Sequence, residues 1–251
     1  MTRLRLLSVT VILLIPAAAL AQTPSAPRAK TERGAIYLNG GYQAGTADVQ
    51  DTVNFTSSAE TGTFTWKFPV KPGAALDAGG RVRVWKRLSI GVAVTRFQAN
   101  GTATVTALIP HPFFFKTPRT VEGTASIERQ ETAVHLRAVF ASAPGRKLQF
   151  TGVVGPAFFT VKQNLVDKVN YSEAYPFDSA TFTSATTRSV SKSKTGLGVG
   201  ADVAYYFQKN LGVGLSASFA KVTFDLKASD DSTASVSAGG AIIGLGVRIR
   251  F

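Results

Sequence analysis

The sequence predicts an all-β protein, a closed antiparallel up-and-down β-barrel of eight strands that crosses a membrane. Three observations carry that expectation. Apolar and polar residues alternate with period two through most of the chain. Short and long connections between the alternating stretches follow one another strictly. The less apolar face of each stretch is built from Gly, Ser, Ala and Thr with scattered charges. A water-facing surface would carry long charged side chains at about a quarter to a third of its positions.

The first segment precedes the fold. Arg3 and Arg5 form a basic start, Leu6 to Ile15 an apolar run, and Ala19-Leu20-Ala21 a small-x-small cleavage site. The expectation is a cleaved signal peptide over residues 1–21. The apolar run falls short of the ~20 residues a membrane helix needs. Residues 22–33, with Pro24 and Pro27, read as a periplasmic lead-in, and residues 34–251 as the barrel. The chain has no cysteine, so export leaves it without disulfides to lean on. The formal charge is +13, and loss of Arg3 and Arg5 would leave +11. Export argues against nucleic acid and leaves anionic lipid headgroups or solvated loops as the account of that charge.

The opening strand spans about Gly34 to Gln43, with Ile36, Leu38 and Tyr42 opposing Tyr37, Asn39 and Gln43. A hairpin follows, Leu76 to Trp85 and Leu88 to Thr95, turning at Lys86-Arg87. The next runs from about Glu128 to Phe140 and back from Leu148 to Val161, with Pro156 awkwardly inside its return strand. Leu197 to Phe207 and Leu211 to Phe219 form a third hairpin around Gln208-Lys209-Asn210. The last strand carries Ala241, Ile243, Leu245, Val247, Ile249 and Phe251 on one face, and Gly244, Gly246, Arg248 and Arg250 on the other. Long loops are expected at about 44–73, 98–127, 162–194 and 227–234, with Thr63 to Phe68 in the first of them either a strand extension or an additional hairpin, the latter raising the count from eight strands to ten.

Alternation alone does not say which face meets lipid, because a soluble barrel alternates in the same way. The small residues decide it, since the interior of an eight-stranded barrel has room for little else. Trp85, Phe140, Tyr205, Phe207 and Phe251 gather at the short-turn end, as an interfacial aromatic girdle would. Closure would also satisfy every backbone group, which hydrocarbon demands.

With Phe251 last and Ile249, Val247 and Leu245 at alternate positions before it, residues 34–251 resemble the OmpA-like eight-stranded outer-membrane β-barrel superfamily. The resemblance implies an outer-membrane location, contact with outer-membrane lipid and lipopolysaccharide, and Leu245, Val247, Ile249 and Phe251 as a signal read by the outer-membrane assembly machinery. Ending at Phe251, the chain is expected to lack the peptidoglycan-binding domain of some relatives. A plug domain of the large-transporter kind is not expected either.

Nine polar residues fall on the expected inner face: Asp77, Arg81, Arg83, Glu131, His135, Arg137, Asp202, Arg248 and Arg250. Isolated charges in a narrow lumen are costly to desolvate, so an ion-pair network is expected. It would serve either as structural filling or as a gated path for small anions. His111 and His135 are too few for a multi-histidine metal site. Outer-membrane lipid deacylases of similar size place a serine two positions after a histidine. Here those positions hold Phe113 and Arg137, so no enzyme and no cofactor is expected. Phe113, Phe114, Phe115, Tyr171, Tyr175 and Phe177 lie in the long loops, either as an adhesive patch or packed on one another as a cap. Ser189 to Lys194 reads as a solvated loop, and no phosphate loop or nucleic-acid motif appears. The role these features imply is envelope structure or surface interaction through the loops, with an unspecified extracellular ligand. A narrow passive channel is the alternative, and a lipid-modifying enzyme stands behind both.

Overall fold

The computed structural model describes residues 32–45, 47–142, 146–227 and 233–251. The expected signal peptide and residues 22–31 of the expected lead-in lie outside the described residues. No helix is present among the described residues. The elements are β1 (Gly34–Gln43), β2 (Val49–Ser57), β3 (Glu60–Phe68), β4 (Gly73–Trp85), β5 (Leu88–Ile109), β6 (Arg119–Ala141), β7 (Leu148–Glu173), β8 (Ala180–Tyr206), β9 (Leu211–Lys227) and β10 (Thr233–Arg250).

The sheet holds ten strands rather than the eight of the leading expectation, and Thr63 to Phe68 belong to an additional hairpin. Eight of them pair in a cycle, β1–β4–β5–β6–β7–β8–β9–β10–β1, antiparallel throughout. The other two form a hairpin inside the segment expected as the first long loop. Its β3 pairs with the upper part of β5, from Thr63 opposite Leu108 to Lys67 opposite Thr104. β1 and β4 are short, and β4 leaves β5 at Phe97. Above that level β2–β3 take their place in the wall, and β2 packs beside β10.

Two more expected loops are also strand. β5 and β6 pair without a break from Leu88–Phe140 to Ile109–Arg119, which converts most of 98–127 into ladder. β7 and β8 pair from Leu148–Tyr205 to Glu173–Ala180, so Ser189 to Lys194 belong to β8 rather than to a loop. The β8–β9 ladder, by contrast, stops at Leu197–Lys221. Above it the wall is unpaired between these strands, and the Lys192 and Lys194 ammonium groups reach across to the carbonyls of Asp225 and Thr223 at 2.5 and 2.6 Å. Opposite Gly155–Pro156 the β6–β7 ladder loses two pairs, because proline has no N–H to give.

The exposure pattern divides each long strand in two. On the lower part of β5, Ile90, Val92 and Val94 are exposed while Ser89, Gly91 and Ala93 face inward. Similar outward apolar rows run along the other seven strands of the cycle, including Leu38, Leu76, Leu136, Val154, Val203, Leu215 and Leu245. From Leu148 to Phe158 on β7 are ten residue steps. At ~3.3 Å per step and a tilt of ~40° they span about 25 Å, the height of a lipid-facing band. Trp85, Phe140, Tyr205, Phe207 and Phe251 rim its lower edge, and Tyr42, Phe158 and Phe219 its upper edge, all exposed.

Above the band the polarity reverses. Thr102 and Thr104 on β5 now point outward, and Ala103, Val105, Ala107 and Ile109 point inward and are fully buried. They join Val49, Phe64, Trp66, Phe68, Ile127, Val161, Leu165, Phe224 and Val236 in one apolar core. Water surrounds this part, so burial of those side chains stabilises it by about 25 cal/mol per Å² of apolar surface.

This division generates a depth test. Val92→Arg, on the lipid band, is expected to cost about 2–4 kcal/mol when the protein is refolded into bilayers, and Thr104→Arg, above it, less than about 1 kcal/mol. Denaturant titrations in lipid vesicles measure both.

Candidate functional site: the lumen and the outer tip

Side chains enter the lumen because every second residue of a strand faces in. They assemble there in three polar layers. The lowest joins Arg81 to Glu32, Gln149 and Thr151 at 2.8, 2.6 and 3.0 Å, and Gln149 donates back to Glu32 at 3.0 Å. Arg250 lies beside it, 3.9 Å over the Tyr206 ring, donating to the carbonyls of Lys209 and Arg146 at 2.8 and 2.7 Å.

The middle layer is centred on Arg248. Its guanidinium pairs with Asp202 and donates to Asn39 at 2.5 Å. Asn39 donates in turn to Asp77 and to Ser216, each at 3.2 Å. Arg137 donates to the Tyr37 hydroxyl at 2.5 Å and sits 3.8 Å from Asp77, to which that hydroxyl donates at 3.4 Å. The upper layer holds Arg129, with none of its surface exposed. It donates to Glu131 and Gln163 at 2.7 and 2.8 Å and to the carbonyl of Ser237. The other Glu131 oxygen accepts from Gln43 at 3.3 Å and from the Gly239 N–H at 2.7 Å. Gly239 has φ +80°, and a Cβ there would stand 2.1 Å from the carbonyl oxygen of Ala220. Only glycine brings this N–H to the carboxylate.

Four acids thus meet four arginines one to one: Glu32 with Arg81, Asp77 with Arg137, Asp202 with Arg248, Glu131 with Arg129. Pairing with added hydrogen bonds is what makes buried charge tolerable. Seven of the nine inward residues named from the sequence sit in or beside these layers. Two differ from expectation in what holds them: Arg250 is bound by carbonyls, and His135 by the Thr95 hydroxyl at 3.1 Å. Arg83 is a correction, because it has no acidic partner among the described residues; only its backbone is held, by the Arg33 carbonyl at 2.8 Å. Sequence reasoning missed Glu32, Arg129 and the amides of Asn39, Gln43, Gln149 and Gln163. Arg129 carried a usable signal, since it continues the same every-second-residue row as Glu131, His135 and Arg137.

Among the described residues, two free spaces in the lumen measure about 20 Å³ beside Glu131 and His135 and about 60 Å³ beside Asp77, Arg137 and Arg248. Each has polar groups in its lining and is of a size for isolated water molecules rather than for a solute. Over them lies the apolar core.

At the outer tip, residues 110–118 and 174–179 connect β5 to β6 and β7 to β8. Phe113 meets Phe177 edge-on at 5.4 Å, and Phe177 meets Tyr175 at 6.2 Å. Arg119 ties the loops together through the Phe177 and Pro110 carbonyls at 2.9 and 2.8 Å and through Glu173 at 2.6 Å. The loops pack on one another, and Phe113, Phe114, Phe115 and Tyr175 nevertheless stay more than 60% exposed. Tyr171 is set apart from them: it packs on the apolar core, 3.2 Å from the Ser57 hydroxyl. At the opposite end the backbone of Phe251 exchanges hydrogen bonds with Gly34 at 3.0 and 3.1 Å.

A family model described as "Outer membrane protein beta-barrel domain" matches residues 7–251. The chain belongs to this outer-membrane β-barrel family. Its location is accordingly the outer membrane, with the exposed apolar band in lipid. No curated protein matches the chain. Among solved structures, the outer membrane protease OmpT of Escherichia coli superposes with TM-score 0.50 at 10% identity, over 90% of this chain and 99% of that one. OprG of Pseudomonas aeruginosa gives 0.45 at 8% identity over 88% and 97%, and the neisserial surface protein NspA 0.41 at 11% over 86% and 99%. At such identities the likeness speaks for the fold alone.

The buried pair at the top of the lumen offers a sharp test. Arg129→Met leaves Glu131 charged and uncompensated and is expected to cost about 3–5 kcal/mol of unfolding free energy. Adding Glu131→Gln to it should recover much of the loss, as read by urea titration of the barrel in detergent.

Proposed function

We propose that this outer-membrane barrel is sealed and non-enzymatic, and that it works by holding its outer tip at the cell surface. The filled lumen carries this reading: three layers of paired charge below, and an apolar core above them. The stalk supports it too. Beyond the lipid band β7 continues from Phe159 to Glu173, about 45 Å of strand at ~3.3 Å per step and about 35 Å of height at the same ~40° tilt. Such a rigid extension would carry the loop aromatics well clear of the headgroups. The layered arginines would then be filling rather than a conduction path, because each is spoken for by an acid or by carbonyls. The two histidines fit the same reading, His135 enclosed in the wall and His111 bound to the backbone of its own loop.

Lipopolysaccharide is the proposed lipid partner. Just above the band, Arg96, Lys162 and Lys221 point outward, at the level of its phosphates. The assembly machinery is the proposed protein partner. Leu245, Val247, Ile249 and Phe251 stand outward and exposed as one apolar row ready for recognition.

Purified protein in planar bilayers is expected to show no unitary conductance steps; regular steps would favour the channel instead. Lipopolysaccharide incubated with the protein should keep all its acyl chains, and released fatty acid would revive the enzyme reading. Phe251→Ser is expected to lower the assembled fraction several-fold in cells, measured by heat-dependent gel mobility, while leaving detergent refolding largely intact.

A further inference from the structure

We infer that the periplasmic rim of the barrel binds the anionic headgroups of phospholipids in the inner leaflet of the outer membrane. The inference goes beyond the surface reading above and depends only on the barrel's place in the membrane. The short turns that link β4 to β5, β6 to β7 and β8 to β9 face the periplasm. Every one of them carries cations: Lys86 and Arg87 in the first, Arg146 and Lys147 in the second, Lys209 in the third. Arg33, ahead of β1, joins them, and all six are exposed. Glu32 is the one acidic side chain at this end among the described residues, and Arg81 and Gln149 engage it inside the lumen.

Each cation is anchored at the depth of the aromatic girdle. Lys86 and Arg87 follow Trp85 directly, and the Lys86 ammonium stays 5.7 Å from the centre of the Trp85 ring. Lys209 lies two residues beyond Phe207. The Arg33 N–H donates to the Phe251 carbonyl at 2.6 Å. The Lys147 carbonyl accepts at 2.7 Å from the N–H of Tyr206, which stands between Tyr205 and Phe207. Girdle aromatics sit at the level of lipid headgroups, and side chains as long as lysine and arginine reach the phosphates from there.

Two of the turns are pinned together by a further cation. Arg250, 8% exposed, donates to the carbonyls of Lys209 and Arg146 at 2.8 and 2.7 Å. One guanidinium thus holds the backbone of three exposed cations, Arg146, Lys147 and Lys209, at one corner. Charges gathered in this way repel one another. Beside the low-dielectric bilayer water screens that repulsion poorly, and an anion relieves it. The depth selects the anion. A zwitterionic headgroup sets its own cation beside its phosphate and cancels most of the attraction. A surface of net negative headgroups gains about 1 kcal/mol for each Lys or Arg near it. The partner is therefore a phospholipid of net negative charge, in the leaflet opposite the proposed lipopolysaccharide contact at Arg96, Lys162 and Lys221.

The test gives the full protein, in neutral detergent, equal amounts of phosphatidylglycerol and phosphatidylcholine with identical acyl chains. Retained lipid is counted by native mass spectrometry. Phosphatidylglycerol is expected to be kept about tenfold over phosphatidylcholine. The combined variant Arg146→Gln, Lys147→Gln, Lys209→Gln should bring that ratio close to one, with heat-dependent gel mobility unchanged. Each single substitution should lower the ratio in part, which keeps the test decisive if the triple variant folds poorly. The matching outer-belt variant, Arg96→Gln, Lys162→Gln, Lys221→Gln, should keep most of the preference. No preference for phosphatidylglycerol, a preference that survives the turn variants, or one lost instead in the outer-belt variant would overturn the proposal. So would its disappearance in excess inorganic phosphate at matched ionic strength, which assigns the corner to a free ion. The sealed lumen and the tip stand apart from all of these outcomes.

Discussion

A β-strand sends alternate side chains to opposite faces, and it cannot change that order without a bulge. This constraint governs the molecule wherever a ladder runs on past the level at which the medium outside the wall changes. Between β5 and β6 the register continues from Leu88–Phe140 to Ile109–Arg119 with no shift. The chain solves the problem in composition. Below Arg96 the outward row is Ile90, Val92 and Val94; above it the outward row turns polar with Gln98, Asn100, Thr102 and Thr104, and the inward row becomes Val105, Ala107 and Ile109. Along β5 and β6 one unbroken ladder thus carries a membrane-barrel pattern at its base and a water-soluble pattern at its top.

The lumen follows from the same reversal. Inside the lipid band the centre must hold polar groups, and in a space this narrow each carboxylate is answered by a guanidinium. Above the band the centre is apolar and the polar groups face solvent. The Arg129–Glu131 pair, with Gln43, Gln163 and the Gly239 N–H, lies at the junction of the two regimes. There, buried charge is held by hydrogen bonds from four strands.

Much of this was legible in the residues. The period-two rows of Leu197 to Phe207, Leu211 to Phe219 and Ala241 to Phe251 fall outward along β8, β9 and β10 as expected. Apart from Thr63 to Phe68, where an additional hairpin was one of two expectations, the upper strands went unread because expectation looked for apolar residues on the lipid face. Ala103, Val105, Ala107 and Ile109 alternate just as regularly with Thr102, Thr104 and Thr106, but in the opposite phase. The site was legible to the same extent. Asp77, Arg137, Asp202 and Arg248 announce themselves on the inward rows. Glu32 precedes the first strand and carries no periodic mark, and which acid meets which arginine depends on strand stagger that one chain's pattern does not encode. The tie that Arg119 makes between the tip loops arises from loop packing, which leaves no periodicity to read.

The seam where β1 meets β10 joins Ala35 to Arg250, nearly the full length of the chain apart in sequence. A nascent or partly delivered polypeptide therefore has no way to finish the cylinder. Until its final residues arrive, two raw strand margins stand open, inviting adhesion to any neighbour. Closure of such a molecule is consequently deferred to its last strand.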